Sequence, residues 1–208
     1  MKNKYVDFVS DDHFLKCVAN LHTDYLKAKN NVTKKHFYSN KVDTIKLTFD
    51  AKFNAIDEES LIRAEILRQI DKSINNSIGT FHEQILGGIA GFEVGNLSGF
   101  DIKATDGSLF AIFKFEHLPK NIEDCIFEKL SKNAQIFKKS KFYLVDFTIK
   151  NHFKEKWIIG NDEYSVSHKN VFMISGHSFY DVISETDETF KKLEAAVLTI
   201  PNEIKVKI

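Results

Sequence analysis

The sequence predicts an α/β (α+β) protein built on a mixed β-sheet flanked by helices, and three observations carry that prediction. Isoleucines recur every fourth residue at 62, 66, 70, 74 and 78, the repeat of one face of a helix. Two short apolar runs follow, 99–105 and 108–114, hinged on Asp106-Gly107, a dipeptide suited to a tight hairpin. Then "NIEDCIFEKLSKNAQIFKK" returns to helical spacing, and "KFYLVDFTI" is too short and too rich in β-formers to be a further helix.

Each element has its own warrant. Leu67, Phe81, Ile85 and Ile89 extend the isoleucine stripe, and Asp57, Glu58 and Glu59 suit the positive end of a helix. Gly87-Gly88 ends it, while Gly79 either bends it or divides it in two. Ile122, Ile126, Leu130 and Phe137 define the apolar side of the helix after the hairpin. A strand is expected around Trp157, and residues 178–201 read as one or two helices ending before Pro201.

Composition narrows the classes. At 208 residues the chain suits a single domain, 1–208, with one sizeable core. Its 29 Lys and Arg balance its 29 Asp and Glu, so no global field selects an anionic partner, and charges sorted locally still allow DNA. Cys17 and Cys125 stand far apart, without neighbours at metal-ligand spacing, which speaks against a disulfide framework or a zinc site. With neither a signal-like apolar core near the N-terminus nor a membrane-length apolar run, the expectation is a soluble, cytoplasmic protein with no membrane partner.

The hairpin carries the chemistry. If Asp106 and Gly107 are the two central residues of a type I′ turn, Thr105 faces Ser108, and counting outward sets Asp101 across from Ile112. Lys114 lies two residues further along the face of position 112. A second carboxylate at 112 would complete a cage for Mg²⁺, in which two acids and a backbone carbonyl hold the ion and a lysine orients or helps deprotonate the attacking water. Such an arrangement hydrolyses phosphodiesters, and it is the logic of the PD-(D/E)xK nucleases. Here the pattern reads Asp101, then Ile112-Phe113-Lys114, so the acid is missing.

A wider pattern accompanies the hairpin. The "RQIDKSINNS" helix, the "FHEQ" segment, the "GFD" strand and the "FAIFK" strand together resemble the type II restriction endonucleases that cut GGNCC or GGWCC sites. The resemblance extends through "FYDVISETDETFKKLEAAVLTIP" and spans about residues 45 to 201. It implies a nuclease core over about 57–160 with a C-terminal helical part over about 177–200. It also implies Mg²⁺-dependent hydrolysis of double-stranded DNA, a homodimer matched to a palindromic site, and a cognate DNA methyltransferase as functional partner. Carried over by position, Asp101 matches the metal-binding aspartate, Lys114 the catalytic lysine, and Ile112 the position of the family's glutamate. The family's polar run after that lysine is kept only at His117.

Other acids are candidates for the vacant role. Glu83, in "FHEQ" on the helix before the hairpin, is placed to add a carboxylate to the metal site. Glu116 shares the face of Lys114 but lies four residues from 112, roughly 13 Å along a strand, which puts it out of reach unless a bulge intervenes. Glu123, Asp124 and Glu128 on the next helix offer further substitutes, and the sequence singles out none of them. His82 and His117 are available to touch phosphate or water, or serve packing. Lys138, Lys139 and Lys141 belong to a locally basic stretch compatible with phosphate contacts. Arg63, Arg68 and Lys72 face DNA or a partner subunit, or pair with Glu59 and Glu65. Two alternatives to an active nuclease stand beside it: a nuclease fold that binds DNA without cutting, and a non-nuclease α+β protein with structural hairpin charges.

Overall fold

The computed structural model describes residues 3–31, 44–95, 99–160 and 164–200. They divide into two compact units, Cys17–Phe81 and Met1–Lys16 with His82–Ile208.

The first unit is helical. It draws on α1 (Asp11–Asn31), α2 (Thr44–Phe53) and α3 (Glu58–Gly87). Asp57 opens α3 by accepting the Ser60 N–H at 2.9 Å, which satisfies one of the free donors at a helix start. Helix α3 runs through Gly79 without a break and stops at Gly87, as the glycine pair predicts. Leu61 and Ile62 are buried, whereas Leu67 is exposed and lies off the stripe. The arginines follow the ion-pair reading. Arg68 grips buried Glu65 through two nitrogens at 2.8 and 2.5 Å, and Arg63 lies 3.7 Å from Glu59.

The second unit carries a six-stranded sheet in the order β1-β2-β3-β4-β6-β5. The strands are β1 (Phe92–Val94), β2 (Ile102–Ala104), β3 (Leu109–Lys114), β4 (Lys141–Asp146), β5 (Lys154–Gly160) and β6 (Ser165–Ser175). Antiparallel pairing joins β1, β2 and β3, while β4 lies parallel to both β3 and β6. Parallel neighbours need a crossover, and α4 (Lys120–Ile136) supplies it between β3 and β4. The sheet is therefore mixed and helix-flanked, in agreement with the sequence. Among the described residues, the C-terminal part forms α5 (Gly176–Ser184) and α6 (Thr189–Thr199).

One face of the sheet packs on α4 around Phe100, Phe127, Leu130, Phe142, Leu144 and Trp157, with Ile112 seated against that cluster. The opposite face turns Phe113 and Tyr143 toward Phe179 of α5, each ring 5.9 Å from it. Alternation along β3 and β4 explains the division, because neighbouring residues on a strand point to opposite faces.

The hairpin turn differs from the type I′ expectation. Gly107 donates to the Ala104 carbonyl at 2.9 Å, and of the turn residues only Gly107 takes a positive φ, 72°. A type I′ turn requires two such residues. Asp106 instead uses its carboxylate to accept the Ser108 N–H at 2.9 Å. The register nevertheless agrees with the count from the turn, with Ile102 facing Ala111 and Lys103 facing Phe110.

Candidate active site

Asp101 lies one residue before β2, where the ladder shifts. Its N–H goes to the Ala111 carbonyl at 3.0 Å, although Ala111 already faces Ile102. Two residues therefore share one partner, the signature of a bulge, and Phe100 lies tilted against Phe110 and Phe142 in the core, ring centroids 5.0 and 6.0 Å away. The same irregularity frees the Asp101 side chain to accept the Phe113 N–H at 2.6 Å. That bond ties the carboxylate to the backbone between positions 112 and 114.

Burial raises the Asp101 pKa, against the Phe113 hydrogen bond and the charge of Lys129, which pull it down. Lys129 reaches from α4 to the Gly99 carbonyl and lies 5.1 Å over the Phe100 ring. Glu83, half-buried near the end of α3, is raised too, first by burial and then by the charge of Asp101. Two desolvated carboxylates thus feel each other, and neither forms an ion pair among the described residues. A hard divalent cation would relieve that repulsion, and Mg²⁺ characteristically takes one or two carboxylates while leaving the remaining positions to water and phosphate. The pair fits such an ion, although no group of three or more His, Cys, Asp or Glu converges among the described residues.

Lys114 turns elsewhere. Its ammonium, on a residue only 6% exposed, donates to Glu123 Oε1 at 2.7 Å and pairs with Asp146 Oδ2 at 2.9 Å. Asp146 ends β4 directly beside Lys114 in the parallel register. Its other oxygen accepts the Thr148 N–H at 2.8 Å and the Thr148 hydroxyl at 2.6 Å. Burial works to lower the Lys114 pKa, but hydrogen bonds and charge from the two carboxylates outweigh it and leave the pKa raised. Burial likewise works to raise Asp146, and the Thr148 and Lys114 bonds outweigh it and leave that carboxyl lowered. The lysine is therefore held charged.

The remaining candidates are dispersed. Ile112 is partly buried in the apolar cluster under α4. Glu116 and His117 are exposed beyond the end of β3, and Glu128 is exposed on α4 and paired with Lys132 at 3.3 Å. Lys138, Lys139 and Lys141 are exposed around the start of β4. Asp146 is the participant that sequence reasoning missed. Its one local signal is an acid closing a buried apolar run, and its pairing with Lys114 depends on a parallel register that no local pattern encodes.

His82 is structural in its surroundings. It is enclosed by Phe115, Phe147, Tyr180 and Phe190, and its Nδ1 lies 3.0 Å from the Tyr180 hydroxyl. Burial pushes its pKa from 6.5 down to about 4. Because the folded pKa lies below the unfolded one, protons favour the unfolded chain as the pH falls. His82 should therefore cost nothing above pH 6.5 and progressively destabilise the fold toward pH 4, by about 3 kcal/mol in full. Denaturant unfolding across that range should show a shallower decline for His82→Gln than for the unmodified chain. Equal slopes would remove His82 as the cause.

Comparison with known proteins gives a consistent result. The family described as Eco47II restriction endonuclease matches residues 6–206. The chain is 32% identical to the type II restriction enzyme Sau96I of Staphylococcus aureus, over 93% of this chain and 78% of that protein. It is 25% identical to the type II restriction enzyme Eco47II of Escherichia coli, over 92% of this chain and 84% of that protein. No solved structure matches significantly.

Proposed function

Because the chain belongs to the Eco47II restriction endonuclease family, we propose that it is a Mg²⁺-dependent type II endonuclease cutting double-stranded DNA at a GGNCC-like site. The observation that carries this reading is the anchoring of Asp101 on the Phe113 N–H, immediately beside Lys114 on β3. Those are the two positions at which the chain keeps the family's catalytic pattern. A palindromic site is read by two-fold symmetry, so the active form is a homodimer, with a methyltransferase protecting the host's own sites. No described helix is long and apolar enough to cross a membrane, and the proposed place of action is the cytoplasm.

Asp101 and Glu83 are the residues that would hold Mg²⁺, which when bound would supply positive charge against the negative charge developing on the phosphate and leaving-group oxygens. Lys114 contributes donors. With its pKa raised, the ammonium orients the attacking water and offsets charge on the phosphate, rather than acting as the base. The exposed Lys138, Lys139 and Lys141 suit backbone phosphate contacts, which hold DNA without reading its bases.

The reading is tested with a plasmid bearing GGNCC sites, incubated with the chain and Mg²⁺ or with EDTA. Discrete fragments only with Mg²⁺ are expected. Salt-sensitive binding to the duplex without cleavage would favour the second reading, a nuclease fold that no longer cuts, for which Ile112 is the specific observation. Neither binding nor cleavage would overturn both.

A further inference from the structure

Lysines from two strands meet on the face of the sheet away from α4. Lys141 opens β4 and shares its face with Tyr143, two residues on. Tyr143 faces Phe172 of β6, and Phe172 faces Lys156 of β5. Lys154, two residues before Lys156 and on the same side, lays its ammonium 5.6 Å over the Tyr143 ring. The acid between them, Glu155, faces Met173 and so belongs to the α4 side. Partial burial first, and the charge of Lys141 second, lower the Lys154 pKa. Among the described residues neither Lys141 nor Lys154 has a carboxylate partner. Like charges brought together without an acid between them cost the free chain energy, and an anion placed between them removes that cost. Lysines on an edge strand also discourage pairing with other strands, but that role asks only that they point outward, not that one leans back over Tyr143 toward Lys141.

The register relates this face to the active site. Phe113 faces Val145, Val145 faces Ile174 and Ile174 faces Lys154, so Lys154 stands on the rung whose other end holds Asp101 through the Phe113 N–H. Three strand spacings, about 14 Å, separate the two ends. That is the length of about four nucleotides along the axis of one DNA strand. Resting on the endonuclease reading, we propose that Lys141 and Lys154 together clasp one backbone phosphate of the duplex, a few nucleotides from the bond that is cut. The contact fixes where the duplex lies and reads no base.

The test measures binding of the full chain to a GGNCC duplex, and to one without the site, in EDTA over a range of salt concentrations. Combining Lys141→Met with Lys154→Met keeps the apolar stem over Tyr143 and removes both charges. The double variant is expected to bind both duplexes more weakly and to lower the salt slope by about 0.9, the value for one phosphate. Two separate phosphate contacts would lower it by about 1.8. Lys154→Arg should keep the unmodified slope, and without DNA the double variant should unfold at the same temperature as the unmodified chain or a higher one. An unchanged slope, a fall near the two-contact value, a loss confined to the GGNCC duplex, or a less stable double variant would overturn the proposal and leave the endonuclease reading standing. Absence of duplex binding by the unmodified chain at every salt concentration would overturn both. If the slopes follow the expected pattern while the unmodified chain does not cut with Mg²⁺, the phosphate contact stands and the endonuclease reading falls.

Discussion

Asp101→Asn is expected to lower Mg²⁺-dependent cleavage by on the order of 1,000-fold. Binding of the duplex and its salt dependence should change little. The substitution keeps the side chain's size and its ability to accept the Phe113 N–H through the amide oxygen, so the bulge at the start of β2 should persist. What it removes is charge. In the absence of cation that removal also relieves the repulsion that raises Glu83, so the variant should be at least as stable as the unmodified chain. The checks are gel-based cleavage rates, duplex binding at several salt concentrations and thermal unfolding in EDTA. Cleavage within a few-fold of the unmodified chain would remove Asp101 from the chemistry.

Lys114→Met is expected to act twice. On the proposed role of Lys114 as a donor to the phosphate, cleavage should fall as far as with Asp101→Asn. Stability should fall by about 3 kcal/mol, since Asp146 and Glu123 are left as uncompensated charges, Asp146 being buried. The two effects are separable. Combining Lys114→Met with Asp146→Asn and Glu123→Gln neutralises the site and should recover most of the stability with none of the cleavage. Full recovery of cleavage in the combined variant would show that Lys114 is scaffolding. Urea unfolding and plasmid cleavage, run on the same preparations, provide both readings.

What was legible in the sequence was whatever depends on near neighbours. The acid-rich start of α3, its end at Gly87, the helix of α4 and the pairing of Ile102 with Ala111 all follow from spacing and turn chemistry within a short stretch. The hairpin count survived a wrong turn type because the offset between the strands was right even though Gly107, and not Asp106, carries the positive φ. Three features escaped. The bulge at Asp101 is a choice of hydrogen-bond partner, made where Phe100 packs against Phe110 and Phe142 in the core. Asp146 met Lys114 through a parallel pairing set by the length and packing of α4, so its role is invisible from "KFYLVDFTI" alone. Strand β6 went unread although it pairs antiparallel with neighbouring β5, because its first half, residues 165–170, is mostly polar and lacks the apolar run of a strand.

The mixed pairing of the sheet also orders events in time. Glu83, Asp101 and the Phe113 N–H belong to one helix end and one hairpin, contacts that close over short loops. Lys114 acquires Asp146 only after α4 has folded and β4 has docked in parallel, a closure over a much longer loop and hence a slower one. On a ribosome, the acidic half of the site can assemble while the lysine still lacks its fixed partner. A chain interrupted before β4 would carry Glu83 and Asp101 without the buried partner that holds Lys114.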